Sequence, residues 1–159
     1  MSEKKEMKKG VIDRNHCGNF KWEEFYVTSQ EGLKAVNYPR TEEVYDNIKY
    51  LARHFLQPLR NHFQMPIVIN SGYRCRQVNK AVGGADGSWH MKGCAADIRV
   101  PSALVGCQMV AFLHDRFLHE GIGYQELLLS KSTKTGNLWL HIAFNPSGDN
   151  ALRCRIMVY

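Results

Sequence analysis

No stretch of this chain approaches the roughly 18–20 consecutive apolar residues of a membrane span. The opening MSEKKEMKKG carries charges where a secretory signal would carry an apolar core. A cytoplasmic protein without a membrane span is therefore expected. The five cysteines (Cys17, Cys75, Cys94, Cys107 and Cys154) are odd in number and include no C-x-x-C pair. That excludes a self-contained disulfide framework and a zinc-finger pattern, and reduced thiols are expected instead. Internal repeats and low-complexity tracts are also missing. So is a single basic face: Lys4, Lys5, Lys8, Lys9 and Arg14 gather near the start, but Lys131, Lys134, Arg153 and Arg155 are scattered. The scatter of the +6 net charge thus argues against nucleic acid as a partner. It leaves a solvated basic surface, or weak attraction to an anionic polymer such as a bacterial envelope.

What remains is an ordinary globular composition, 44% hydrophobic and 23% charged over 159 residues, enough for one domain. Residues 1–17 read as a flexible basic arm and 18–159 as the domain. Phe20, Trp22, Phe25 and Tyr26 suggest a short helix within Asn19–Ser29. Thr41 to Phe63 is the clearest helix. Thr41, Glu42 and Glu43 suit its start, and Val44, Ile48, Leu51, Phe55 and Leu59 form one apolar stripe. Pro58 predicts a kink inside it. Strands are expected over 66–70 and 95–100. Ser102 should cap a helix reaching His119, with Leu104, Val105, Met109, Phe112 and Leu113 inward. A hairpin follows (124–130 and 138–144), and 153–159 reads as an edge strand. The order predicts an α+β fold, a small antiparallel sheet packed against helices.

Three side chains form a possible metal set: His90, Asp97 and His141. Two imidazoles and one carboxylate leave a fourth position open for water, as in catalytic zinc sites. By spacing alone, ordinary core or surface histidines remain the alternative, since the chain has seven.

The run Ser71-Gly-Tyr-Arg74, Val78-Asn79-x-Ala81-Val82-Gly83-Gly84 and Ser88-x-His90-Met91-x-Gly93-x-Ala95-Ala96-Asp97-Ile98, with Trp139-Leu140-His141-Ile142 later, resembles the M15 family of zinc D-Ala-D-Ala peptidases. The likeness is strongest to the compact bacterial and phage-associated members, and it spans about Phe20 to Phe144. It implies a hedgehog/DD-peptidase-like fold, Zn2+ as cofactor and a peptidoglycan peptide as substrate. It places His90, Asp97 and His141 as zinc ligands. Arg74 falls where the family faces its substrate, which suits a guanidinium gripping a carboxylate or an oxyanion. Ser71 lies at the mouth of the site, with turn capping as its alternative role. Trp139 is a candidate wall of the substrate groove, with a core aromatic as the alternative. Gly93 should let the backbone turn tightly between two ligands, while Trp89 and Met91 read as packing.

One departure stands out. A metallopeptidase needs a base for the water's proton. Related sequences read like F-D-Q-L-I-x-E on the hairpin's first strand, the Glu being that base. Here Ser130 occupies its place in Tyr124-Gln125-Glu126-Leu127-Leu128-Leu129-Ser130. Glu126 is the strand's only carboxylate and shares a face with Leu128 and Ser130. If Leu128 lies opposite His141, Glu126 and Ser130 flank it diagonally. Glu126 is thus the candidate base if register or a bulge helps, with a salt-bridged or solvent-facing Glu as the alternative. Glu120 and Asp115 are further carboxylates without a positional argument. The expected function is a zinc peptidase cutting D-amino-acid peptides of the bacterial wall, a monomer reaching its substrate after release, for instance by phage lysis. The alternative is a wall-binding or phage structural module without turnover.

Overall fold

A computed structural model describes residues 19–159; the basic arm read over 1–17 lies outside them. A 3-10 turn, Trp22–Tyr26, stands in place of the expected short helix, and a second turn covers Glu31–Leu33. Thr41 then caps helix α1 (Glu42–Leu51), its hydroxyl accepting from Val44 N. The chain continues through a π-helical turn, Ala52–Leu56, into α2 (Gln57–Phe63).

Pro58 explains the π turn. It has no N–H to give the His54 carbonyl one turn back. The helix widens there, the Gln57 N–H reaching Ala52 O. The freed His54 carbonyl accepts from the Arg116 guanidinium of the last helix instead. The expected kink is thus a local widening with a tertiary clamp on it.

Strand β1 is Ile69–Ser71, shorter than the expected 66–70 run. It is followed by α3 (Arg76–Ala81), a 3-10 turn at Trp89–Lys92, and β2 (Ala95–Arg99). Ser102 Oγ accepts from Val105 N and opens α4, Ala103–Glu120. Met109 and Leu113 are buried, but Leu104, expected inward, is 68% exposed, so it lies off the packed stripe. β3 (Glu126–Lys131), β4 (Leu138–Ala143) and β5 (Arg153–Val158) complete one five-stranded sheet in the order β1-β2-β4-β3-β5. All pairings are antiparallel except β3 with β5, which is parallel. The fold is therefore α+β, with a mostly antiparallel sheet.

Period-two alternation splits the sheet into two faces. Ile98, Leu140 and Leu129 pair in one row, Ala96, Ile142 and Leu127 in the next. All six are buried in the core with Ile48, Leu51, Phe55, Leu59, Met109 and Leu113 of the helices. The opposite face carries the polar row Ser71–Asp97–His141–Leu128–Arg155, read strand by strand across the sheet. β5 closes one edge, with Ile156, Val158 and the following Tyr159 each at least 62% exposed.

Candidate metal centre

Asp97 and His141 are direct cross-strand partners on β2 and β4. His90 arrives from the 3-10 turn that precedes β2. Ser88 Oγ caps that turn by accepting from His90 N, and Gly93 ends it at φ +72°. A side chain at Gly93 would also run into Val44 of α1, so glycine is required twice over. Ligand atoms of His90, Asp97 and His141 lie within 4.8 Å of one another, the one such group found among the described residues.

Each donor is held. His90, 3% exposed, has its Nδ1 2.7 Å from the Gly72 carbonyl. A carbonyl can only accept, so Nδ1 carries the proton and Nε2 offers its lone pair. Nε2 lies 3.4 Å from Asp97 Oδ2. His141 Nδ1 is 2.7 Å from Asp97 Oδ1. Arg74 donates from Nη2 to Asp97 Oδ2 at 2.9 Å and from Nε to Ser71 Oγ at 2.8 Å. Two imidazoles and a carboxylate converging on one point, with their outer atoms engaged by the protein, fit a zinc-type donor set.

The electrostatics follow from that packing. Burial alone would raise Asp97's pKa, but its contacts with His141 and His90 outweigh it and hold the carboxyl well below the usual range. Burial would lower His141, and its bonds to Asp97 and Glu126 instead lift it to about 9. Glu126 is lowered, first by its contact with His141.

The strand register is the one the sequence suggested: Leu128 stands opposite His141, Glu126 opposite Ala143 and Ser130 opposite Trp139, without a bulge. Ser130 is buried, 2% exposed. Glu126 does not join the ligand group. Its Oε2 lies 3.3 Å from His141 Nε2, the nitrogen away from Asp97, and its Oε1 lies 3.5 Å from Arg153 Nη1. Glu120 and Asp115 sit on α4, paired with Arg116 and His119, apart from the site.

Two clefts include neighbours of these residues, Arg74 in one and Trp139 in the other. One, of about 850 Å3, is lined by Tyr73, Arg74, Arg76, Asn79, Lys80 and Met91, among others. The other, of about 600 Å3, includes Arg99, Ser132, Asn137 and Trp139. Trp139 stacks on Tyr159 at 6.4 Å between ring centroids.

Two residues that sequence reasoning missed build the Arg74 loop. Gly72 passes so close to Phe25 that a Cβ would collide with the Phe25 carbonyl. That approach sets the carbonyl which orients His90. Asn37, 1% exposed, donates to the Tyr26 and Tyr73 carbonyls and accepts from Cys75 N at 2.8 Å. A lone loop asparagine carries no signal of such a role.

His90 from the turn, and Asp97 and His141 from the sheet, meet at one point with an arginine clamped beside them, a donor set that could hold a metal ion. The family described as Peptidase M15 matches residues 18–127, and the chain belongs to that family. The match covers Ser71, Arg74, His90, Asp97 and Glu126 and stops before His141, which the β2–β4 pairing adds. No curated protein matches the chain.

Proposed function

We propose that this chain is a zinc-dependent hydrolase of peptides containing D-amino acids, with bacterial peptidoglycan as the substrate class and a D-Ala-D-Ala carboxypeptidase or endopeptidase type of reaction. The observation that carries the reading is the convergence of His90, Asp97 and His141 within 4.8 Å in a chain of the M15 family. When bound, zinc supplies a Lewis acid for the scissile carbonyl and lowers the pKa of water toward ~7. The chain's own residues do the rest. Asp97 spreads its charge between both imidazoles and Arg74. Arg74, locked by Ser71 and Asp97, presents a guanidinium to a substrate carboxylate or to charge developing on the carbonyl oxygen. The peptide runs between the cleft that holds Arg74 and the one that holds Trp139.

The test is incubation of the zinc-loaded full chain with muropeptides ending in D-Ala, product release being followed by chromatography. Cleavage is expected from the unmodified chain and none from His90→Ala. Arg74→Ala should lower turnover by roughly 10²–10³-fold.

A second reading, a wall-binding module with the same centre but no turnover, is favoured by Ser130, buried where a carboxylate base was expected. Zinc uptake and muropeptide binding without cleavage is the outcome it expects.

A further inference from the structure

We infer that Glu126 is a positioning residue: its carboxylate accepts the Nε2–H of His141 and so turns Nδ1 toward the metal, while Arg153 steadies that carboxylate from β5. The inference rests on the metal-centre reading and asks how the third ligand is aimed. A neutral imidazole has one N–H and one lone pair, and the partner of the N–H fixes which nitrogen is the ligand. In His141 the two nitrogens face different carboxylates: Nδ1 lies 2.7 Å from Asp97 Oδ1, and Nε2 lies 3.3 Å from Glu126 Oε2. Asp97 belongs to the cluster that His90 completes, and Glu126 does not. Glu126 therefore contacts the far side of the ring. A carboxylate there cannot take the proton of a water on the near side, but it is well placed to hold a tautomer.

The placement follows from strand register. Glu126 and Leu128 lie on one face of β3, and Leu128 faces His141, so Glu126 is the diagonal neighbour. Arg153 is its direct partner on β5, reaching Oε1 at 3.5 Å and leaving Oε2 for the imidazole. The centre thus mirrors itself. His90 is aimed by the Gly72 carbonyl on its Nδ1, and His141 by the Glu126 carboxylate on its Nε2.

The test compares Glu126→Gln, Glu126→Ala and Arg153→Met with the unmodified full chain. Zinc affinity is read by chelator competition, coordination by the visible spectrum of the cobalt form, and the His141 tautomer by nitrogen NMR of the imidazole ring. In the unmodified zinc form His141 should carry its proton on Nε2. Glu126→Ala should weaken zinc binding 10–100-fold, and Glu126→Gln, whose amide oxygen still accepts, should restore it to within a few-fold. Arg153→Met should cost less than Glu126→Ala. Thermal unfolding without metal shows that each variant folds.

Zinc affinity unchanged in Glu126→Ala, with cleavage alone lost, would overturn the inference and make Glu126 the base. Equal loss in Glu126→Gln and Glu126→Ala, with a changed cobalt spectrum, would overturn it in favour of Glu126 as a direct ligand. An unmodified chain that takes up no zinc sinks the underlying metal reading instead, which these variants do not otherwise affect.

Discussion

His141 sits between two carboxylates, and the consequence is measurable without substrate. In the metal-free protein its pKa is lifted from 6.5 to about 9. A raised folded-state pKa contributes stability that is full below about 6.5 and is lost as pH climbs through about 9. That interval corresponds to roughly 3 kcal/mol. Asp97 works in the other direction: its lowered pKa contributes stability above about pH 4 that is lost on acidification. Denaturant melts of metal-free protein should therefore weaken between pH 6.5 and 9. Saturation with zinc, which requires unprotonated imidazoles, should abolish that alkaline loss. Melts that stay flat across this range would contradict the picture. Cysteines give a second check at this scale. Burial, the largest effect, pushes the Cys94 thiol up to about 12, whereas Cys107 and Cys154 are exposed. A maleimide at pH 7 should modify Cys107 and Cys154 in the folded chain and reach Cys94 only after denaturation; mass spectrometry of peptides decides.

Among the elements, the long helix and the sheet-forming runs were legible because their signals are local. The stripe Val44, Ile48, Leu51, Phe55, Leu59 gave the helix, and short runs closed off by turn residues gave β2, β3 and β4. Ser102 and Thr41 were readable as caps because the hydroxyl's partner lies three residues away. The π turn was not, since its compensation comes from Arg116, 62 residues distant. Nor was the parallel placement of β5, because an edge run of alternating residues reads the same in either direction. Leu104 failed because apolar type alone does not say where a helix's packed stripe ends. In the site, His90, Asp97 and His141 were legible as a family pattern and Arg74 with them. Gly72 and Asn37 were hidden, since their work is done through backbone groups of other segments. Two substitutions test these hidden supports. Gly72→Ala should cost about 1–3 kcal/mol by forcing the loop off Phe25 and should weaken zinc binding along with stability. Arg116→Ala strands the His54 carbonyl and should cost about 1–3 kcal/mol while leaving zinc affinity intact. Equal effects of the two on zinc would contradict this division of roles.

For the molecule as a whole, a metal ion held by the candidate ligands at positions 90, 97 and 141 would tie the 3-10 turn, β2 and β4 together. Binding to the folded state alone adds stability as RT ln(1 + [L]/Kd), about 4 kcal/mol at a thousandfold excess over Kd. Chelator should accordingly lower the melting temperature of zinc-loaded protein by several degrees, and His90→Ala should melt alike with and without it. No helix among the described residues is long and apolar enough to cross a membrane.

One edge of the sheet has a further consequence. Among the described residues β5 pairs on one side only, and Ile156, Val158 and Tyr159 lie open along that edge. Such a rim is a template for any other extended chain. Here Arg153 and Arg155 precede the uncharged run 156–159 on that edge, acting as electrostatic gatekeepers. Salt that screens these cations should therefore turn a well-behaved solution turbid at high protein concentration, and brine rather than heat would be the condition to avoid when storing this protein.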